Sequence, residues 1–546
     1  MSKDGNKNAN KIRQRKAALG QNQQPQNVLD RALTWINPKA GFERLQYRKA
    51  LDIQNAYTGA SRGRRQTSGW RTTNGDADAD IIPDLPELRQ RSRDLRRNNP
   101  IAAGVIKTNE ISVIGDGLKL KSCVNADVLG IDDDQAAAIE AACEREWNLF
   151  AESVECDLER TLNFDELQRL IFGSMLENGD VFVSMPYLRR AGSPYGLKLQ
   201  VIEADRVCNP QGKTDTATLV AGVEKDTNGA PLQYHVMTCH PGARKLIERK
   251  WEPIKAFDTK GNRKVLHIFT KDRAGQTRGV PYLTPVLETL KMLCSYTESE
   301  IMGALTASLF TVFVKTEDAQ GLAPMAPTEE TGAAEGDDDI KMGSGAVVNL
   351  RPGEDITIAS HNRGNQAFAA FIDAVAQQLG VGLGIPKEVL MKLFTSSYSA
   401  SRAAMLDAWN YFITRRNWFS RNLCQPVYES VLLEAVAMGR LNLPGFLSGD
   451  PSIRKAYCGA HWIGPAKGQI DELKEAKAAR ERIDGGLSTI EQETQGLSGK
   501  DWEDNIRQRA REQKAMLDAG LISPPPDPNA QPEDEDPDEA DKRERE

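Results

Sequence analysis

The spacing of apolar residues changes along this chain, and that change constrains the fold more than any other feature. From Pro86 onward they recur every three to four positions. One helix runs through Leu88 and Leu95, punctuated by Asn98-Asn99-Pro100, and a second carries Ile101, Val105 and Ile106. Ala136–Phe150 and Phe164–Leu176 read as two more amphipathic helices. The period then drops to two. Val181–Val183, Leu197–Ile202, Thr218–Val223, Leu232–Met237 and Val265–Phe269 are predicted strands, and Asn228-Gly229 between two of them is a hairpin signal. Both periods together ask for a mixed α+β domain of roughly 250 residues.

Helical spacing then returns. Thr284-Pro285 reads as an N-cap followed by proline, opening a helix with Val286, Leu290, Leu293, Ile301, Ala304 and Leu305 on one stripe. A short strand at Thr311–Val314, an acidic Pro/Gly/Ala loop and strand-like Ala346–Leu350 and Ile356–Ala359 follow, before a helix at Gln366–Leu379. This is helix, small β-insert, helix, with the ends of the insert close together. A loop around Lys392–Ser397 precedes a helix from Tyr398 to Gln425, about 40 Å long at 1.5 Å per residue, where Pro426 is expected to stop or kink it. From Ile470 the chain is helical again. Leu473, Ala476 and Ile483 share a face, Ser488 and Glu491 suggest a capping box, and Trp502, Ile506 and Met516 mark a last helix. Upstream, Phe42, Leu45, Ala50, Ile53 and Tyr57 are roughly helix-spaced after Asn37-Pro38. Residues 1–25 and those from Ser523 onward are polar and of low complexity, and read as disordered.

The net charge of −7 conceals a strong polarity. Residues 1–75 hold 15 Lys/Arg against 4 Asp/Glu, a local +11, which leaves −18 for the remainder. Eight acids and no base occupy 317–339, and ten acids with three bases occupy 527–546. Basic arms meet nucleic acid or acidic partners, whereas acidic blocks repel phosphate. The longest strongly apolar run, Ile301–Val314, has 14 residues against the ~20 of a membrane helix, and the first 25 residues carry no apolar signal core. Eight dispersed cysteines without a CxxC pair speak against a metal ribbon or redox site and suit a reducing cytoplasm.

Catalytic signatures fail on inspection. Gly212-Lys213-Thr214 would end a P-loop, but Val207 stands where its first glycine belongs, and Gly499-Lys500 is followed by Asp501. Gly380, Gly382 and Gly384 lack the preceding strand and third spaced glycine of a dinucleotide fingerprint. His235, Cys239 and His240 read as partly buried polar groups, and His267 and His361 have no local acid or nucleophile. The triplets Asp132–Asp134 and Asp337–Asp339 lack calcium-loop spacing and read as solvated loops. No enzyme and no cofactor is expected.

Four blocks carry a family resemblance: LRQRSRDLRRNNPIAAGVIKTNEISVIGDGLKL (Leu88–Leu120), RGVPYLTPVLETL (Arg278–Leu290), VGLGIPKEVL…SYSASRAAMLDAWNYF (Val381–Phe412) and HWIGPAKGQIDELKEAKAARERIDGGLST (His461–Thr489). In this order the chain resembles the portal proteins of tailed bacteriophages, lambda-type family, from about Asn37 to Leu521. The resemblance implies an α+β multidomain portal fold: a mixed α/β wing, a two-helix stem with a small β-containing clip insert, a long tunnel-loop helix and a helical crown. It also implies a ring oligomer, commonly of twelve subunits, at the one capsid vertex through which DNA passes. The expected parts are a basic arm (1–25), wing (26–282), stem helices (283–310 and 362–390), clip (311–361), tunnel loop (391–398), long helix returning to the wing (399–464), crown (465–521) and acidic tail (522–546).

The resemblance also implies partners: further copies of the chain, double-stranded DNA, the large subunit of a terminase motor, a head-tail connector, and the major capsid and scaffolding proteins, but no membrane. The expected location is the virion, after assembly in the host bacterial cytoplasm. In the loop, Lys392 is the nominated transient phosphate contact. Leu393, Phe394 and Tyr398 form a constriction, or else Phe394 and Tyr398 pack on neighbouring helices, with Thr395, Ser396 and Ser397 between them. The clip acids Glu317, Asp318, Glu329, Glu330, Glu335, Asp337, Asp338 and Asp339 are candidates to dock motor and connector. The arm residues Lys11, Arg13, Arg15 and Lys16, with Arg62, Arg64 and Arg65, either touch DNA, scaffold or shell or only solubilise. Two other classes are weighed: a packaging ATPase-nuclease, which needs the missing P-loop, and a shell or scaffold protein without a channel.

Overall fold

The computed structural model describes residues 72–244, 248–308, 312–316, 354–358, 368–395, 397–468 and 471–522, with short pieces between 35 and 70. Residues 1–75 and 76–546 form two separate compact units. In the first, residues 35–36, 38–40 and 43–44 are helical and Arg65 lies exposed in a turn. Lys11, Arg13, Arg15, Lys16, Arg62 and Arg64 lie outside the described residues, as do the clip acids and the predicted strand at Ala346–Leu350.

The second unit begins with α1 (Ala77–Ile81), α2 (Leu85–Asn98) and α3 (Pro100–Asn109), whose last turn widens into a π turn at Glu110–Ile114. Pro86 and Pro100 sit in first turns, where the missing amide is not needed, and Asn99 caps α3 by accepting from the amides of Ile101 and Ala102. Strand β1 (Lys119–Ser122), the short α4 (Ala126–Leu129), α5 (Asp133–Ala151) and α6 (Phe164–Asn178) follow. Asp132–Asp134 are not a free loop: Asp132 accepts from the amide of Gln135 and the next two acids fill the first turn of α5, where the helix dipole favours them.

Next come β2 (Asp180–Ser184), β3 (Gln200–Ile202), β4 (Leu219–Val220), β5 (Val223–Lys225), β6 (Pro231–Met237), β7 (Trp251–Lys255) and β8 (Val265–Phe269). They form two antiparallel sheets, of order β3-β2-β8 and β4-β5-β6-β7. Strand β2 is buried on both faces. Val181 and Val183 enter the main core, while Phe182 points the other way and joins Ile202, Val223, Tyr234, Val236 and Val265 in a second core. The expected single strand Thr218–Val223 is instead a hairpin, because Ala221 and Gly222 both take positive φ and turn the chain.

Thr284 is not an N-cap. It opens a 3-10 turn (Thr284–Val286) without a side-chain cap bond, and α7 (Leu287–Ser308) continues from it. Strands β9 (Val312–Thr316) and β10 (Glu354–Ile358) pair antiparallel, with Thr316 opposite Glu354, and α8 (Phe368–Leu383) returns. Tyr296 of α7 meets Phe368 and Phe371 of α8 at ring separations of 5.8 and 5.0 Å, so the two helices pack. A short α9 (Lys387–Met391) leads to α10 (Tyr398–Phe419). Pro426 does not end this helix. The turn Ser420–Cys424 is π-helical, and α11 (Gln425–Ala437) starts afresh with the proline in its first turn.

After α12 (Pro451–Tyr457), β11 (Ala460–Ile463) pairs with β1 from more than 300 residues away. Trp147, Phe164, Tyr428 and Trp462 stack edge to face at this seam. The chain closes with α13 (Glu472–Asp484), α14 (Ile490–Ser498) and α15 (Trp502–Asp518). Thr489, one residue after the expected Ser488, caps α14 by accepting from Gln492. Of the predicted α13 face, Leu473 and Ala476 are exposed, and the buried residue is Ala479.

Candidate functional site

The loop between α9 and α10 grows out of a tight reversal. Glycines let α8 end against the following chain: the amide of Ile385 donates to the carbonyl of Gly380 at 3.0 Å, and a Cβ at Gly380 would lie 2.6 Å from the Ile385 oxygen. Lys387 at the start of α9 reaches back to Asp373 of α8, with Nζ 2.7 Å from Oδ2. Ile385 and Leu390 are buried beneath. Lys392 ends α9 in the left-handed conformation, φ 54°, and the next amide, Leu393, donates to the carbonyl of Glu388. Ser397 caps α10 by accepting from Ala400. The loop is therefore pinned at one end by backbone conformation and at the other by a side-chain cap.

Within one chain the loop side chains project outward. Leu393 is 61% exposed, Phe394 48% and Tyr398 52%, and Lys392, Thr395 and Ser397 are exposed too. Of the two arrangements expected for Phe394 and Tyr398, neither ring is buried against its own helices. Ser396 lies outside the described residues.

Beneath the loop, α10 is anchored by stacked rings and cations. The hydroxyl of Tyr411 donates to that of Tyr282 at 2.9 Å, Tyr282 in turn donates to the carbonyl of Leu383, and Arg415 lies over both rings at 4.4 and 4.7 Å. Burial pushes both phenols upward. Arg416 is buried and donates to the carbonyls of Ser112, Val113 and Pro465, at 3.0–3.1 Å. Desolvation lowers its pKa to about 10, and the carbonyls that end the π turn of α3 take the place of a carboxylate partner.

A second polar centre joins the two sheets to α2. Asp180, fully buried at the start of β2, accepts from Arg89 Nη2 (2.7 Å), Arg278 Nε (2.6 Å), His267 Nε2 (3.2 Å) and the amide of Gly279 (3.2 Å). Burial alone would raise its pKa, but Arg278 and Arg89 hold it far below the carboxylate range. Burial lowers Arg89 and His267 in turn. The backbones of Gly179 and Gly279 meet so closely that a Cβ on either would strike the other, which brings Arg278 beside Asp180. His267, sandwiched between Phe182 and Phe269, thus has an acid partner after all, supplied from 87 residues away. Sequence spacing did carry one signal: Arg89, Arg93 and Arg96 form an i, i+4, i+7 stripe on α2.

At the outer edge of this centre Glu203, Asp205 and His240 bring three possible ligand atoms within 4.8 Å. Arg93 lies 2.5 Å from Asp205 and 3.2 Å from Glu203, so the cluster contains its own cation and does not fit a metal well. His235 instead pairs with Glu224 at 3.0 Å. Gly212, which with Lys213 and Thr214 would have ended a P-loop, closes a 3-10 turn, Pro210–Gly212.

Comparison with known proteins places this geometry. A family model described as "Phage portal protein, lambda family" matches residues 63–416, from before α1 through the loop and most of α10. The chain belongs to the lambda family of phage portal proteins. This portal-family chain is 26% identical to Portal protein B of Escherichia phage lambda over 479 residues, 84% of this chain and 89% of that one. It is 28% identical to the portal protein of Escherichia phage N15 over 84% of this chain and 90% of its relative. Among solved structures it resembles a chain in the neck of a native GTA particle computed with C12 symmetry, at 14% identity and TM-score 0.40, covering 76% of this chain and 93% of that one. Membership makes this a phage virion component of the portal class. Among the described residues no helix is long and apolar enough to cross a membrane.

Proposed function

We propose that copies of this chain close around an axis, twelve in the ring that the family resemblance implies, at a single capsid vertex. Double-stranded DNA passes through the bore during packaging and ejection. The observation that carries the reading is the family match over 63–416, which includes the α9–α10 loop and its support. The parts are assigned as the sequence reading has them: the sheets and their flanking helices as wing, α7 and α8 as stem, the β9–β10 insert as clip, and α13–α15 as crown.

A conduit must hold DNA loosely. Each Lys or Arg that neutralises a phosphate releases counterions and deepens a trap, so a bore lined with many cations would bind instead of conduct. The surplus of −18 outside residues 1–75 suits a repelling wall. Lys392 supplies a transient phosphate contact beside Leu393, Phe394 and Tyr398, which form the constriction, with Thr395, Ser396 and Ser397 completing the loop. The clip acids Glu317, Asp318, Glu329, Glu330, Glu335 and Asp337–Asp339 dock the terminase large subunit before filling and the head-tail connector afterwards. The arm residues Lys11, Arg13, Arg15, Lys16, Arg62, Arg64 and Arg65 face DNA, capsid or scaffold. The chain turns over no substrate in this reading, and assembly takes place in the bacterial cytoplasm.

Negative-stain images of the purified protein, and of immature heads, are expected to show rings with a central hole; solitary particles in both would overturn the proposal. Lys392→Ala is expected to leave ring assembly intact and to alter DNA retention or packaging in a single-molecule assay. Unchanged packaging would remove Lys392 from the mechanism.

A further inference from the structure

A cleft of about 510 Å³ opens where the π turn of α10, the start of α11 and α12 meet the hairpin around Gly261. Its walls carry four cations, Arg263, Arg421, Arg454 and Lys455, against one carboxylate, Glu429, which already accepts from Gln425 Nε2 at 3.2 Å. Arg454 is spoken for in part, donating to Asn262 Oδ1 at 3.1 Å. Arg263, Arg421 and Lys455 have no ion-pair partner among the described residues. By contrast Arg89, Arg93 and Arg440 of this unit pair with carboxylates, at Asp180, Asp205 and Glu146. Phe257, Pro426 and Pro451 add apolar surface to the lining. A concave, positively charged site with proline and aromatic lining fits an extended acidic peptide. A DNA duplex, a convex rod, touches cations that protrude.

The chain holds such a peptide. Residues 523–546 lie beyond α15, outside the described residues, and Glu533–Asp541 contains seven acids, one proline and no base. The start of α15 lies near the cleft: Lys121 Nζ is 3.0 Å from both Asp501 and Glu503, and Lys121 faces His461 across the β1–β11 pair, three residues beyond Cys458 of the cleft wall. Helix α15 spans about 26 Å, and the ten residues Ser523–Pro532 can extend about 35 Å. That length allows the acidic run to return to the cleft.

We propose that the cleft bounded by Arg263, Arg421, Arg454 and Lys455 is a docking site for the acidic segment Glu533–Asp541 of the same chain. Occupied, it masks this group of cations, so that DNA leaves it alone.

The test uses the full chain and a zero-length carbodiimide cross-linker, read by mass spectrometry. The Lys387–Asp373 pair, 2.7 Å apart, is the internal control. A Lys455 cross-link to a carboxylate within 533–541 is expected. Its yield should fall about fivefold for Arg421→Glu or Arg263→Glu, and fall with added salt, because the contact is exposed and ionic. In a mixture of light and heavy isotope-labelled chains the cross-link should join fragments of one label only. Control cross-linking without the Lys455 product overturns the proposal, as does a yield indifferent to both reversals. Mixed-label products overturn the same-chain assignment. Duplex DNA bound through Arg421 by the unaltered chain, with no tail cross-link, would assign the cleft to nucleic acid instead.

Discussion

Asp180 shows how much one side chain can decide. Two arginines, a histidine and a backbone amide converge on a carboxylate with no access to water. Asp180→Asn keeps the shape but leaves Arg89 and Arg278 buried without their counter-charge. We expect a loss of about 3–5 kcal/mol, read as a lower denaturant midpoint. The same centre sets an acid dependence. His267 is held neutral by burial, its pKa lowered in the folded chain, so the unfolded chain takes up the proton first and stability falls as pH drops below about 6.5. Asp180, also depressed, stabilises above the ordinary carboxylate pKa of about 3.9, and this contribution is lost as pH falls through that value toward its folded one. His267→Phe, in a slot already made by Phe182 and Phe269, should flatten the first of these slopes and leave the second in a pH series of melting temperatures.

At the scale of elements, Arg416 ties three of them together. It holds the last carbonyls of the π turn after α3, belongs to α10, and reaches Pro465 after β11. Arg416→Met should leave those carbonyls unsatisfied, at about 1–3 kcal/mol each, and raise hydrogen exchange in all three segments at once. Gly464→Ala should give a similar, weaker pattern, since its Cβ would lie 2.6 Å from Arg416 Nε.

Helices opened by Pro86 and Pro100 were legible in the sequence, because proline in a first turn and apolar spacing agree. So were the loop before Tyr398 and the strands of strong alternation. The hairpin at Ala221-Gly222 was not, since an apolar run hides a reversal that depends on φ. Pro426 misled for a related reason: a proline breaks a helix only where its amide is needed, and the π turn before it had already reset the ladder. Strands β1, β7 and β11 are short and polar or carry Pro253, and the partner of β1 lies more than 300 residues away. The Asp180 centre was illegible for the same reason, although the arginine stripe on α2 was in view.

For the whole molecule, charge and assembly belong together. A chain with +11 in residues 1–75 and −18 elsewhere should self-associate in a salt-dependent way if the arm meets acidic surfaces of neighbours. Deleting residues 1–20 is then expected to shift the ring yield at low salt in sedimentation, whereas an idle arm would leave it unchanged. The antiparallel pairing of β9 with β10 has a separate consequence. Thr316 and Glu354 face each other, so whatever lies between them departs and returns at the same spot. Closing such a segment costs only about 0.6 kcal/mol more for each doubling of its length. Grafting a foreign or resized segment across that ladder should therefore leave α7 and α8 undisturbed, so that a lineage of such chains can vary this segment without rebuilding the two helices that carry it.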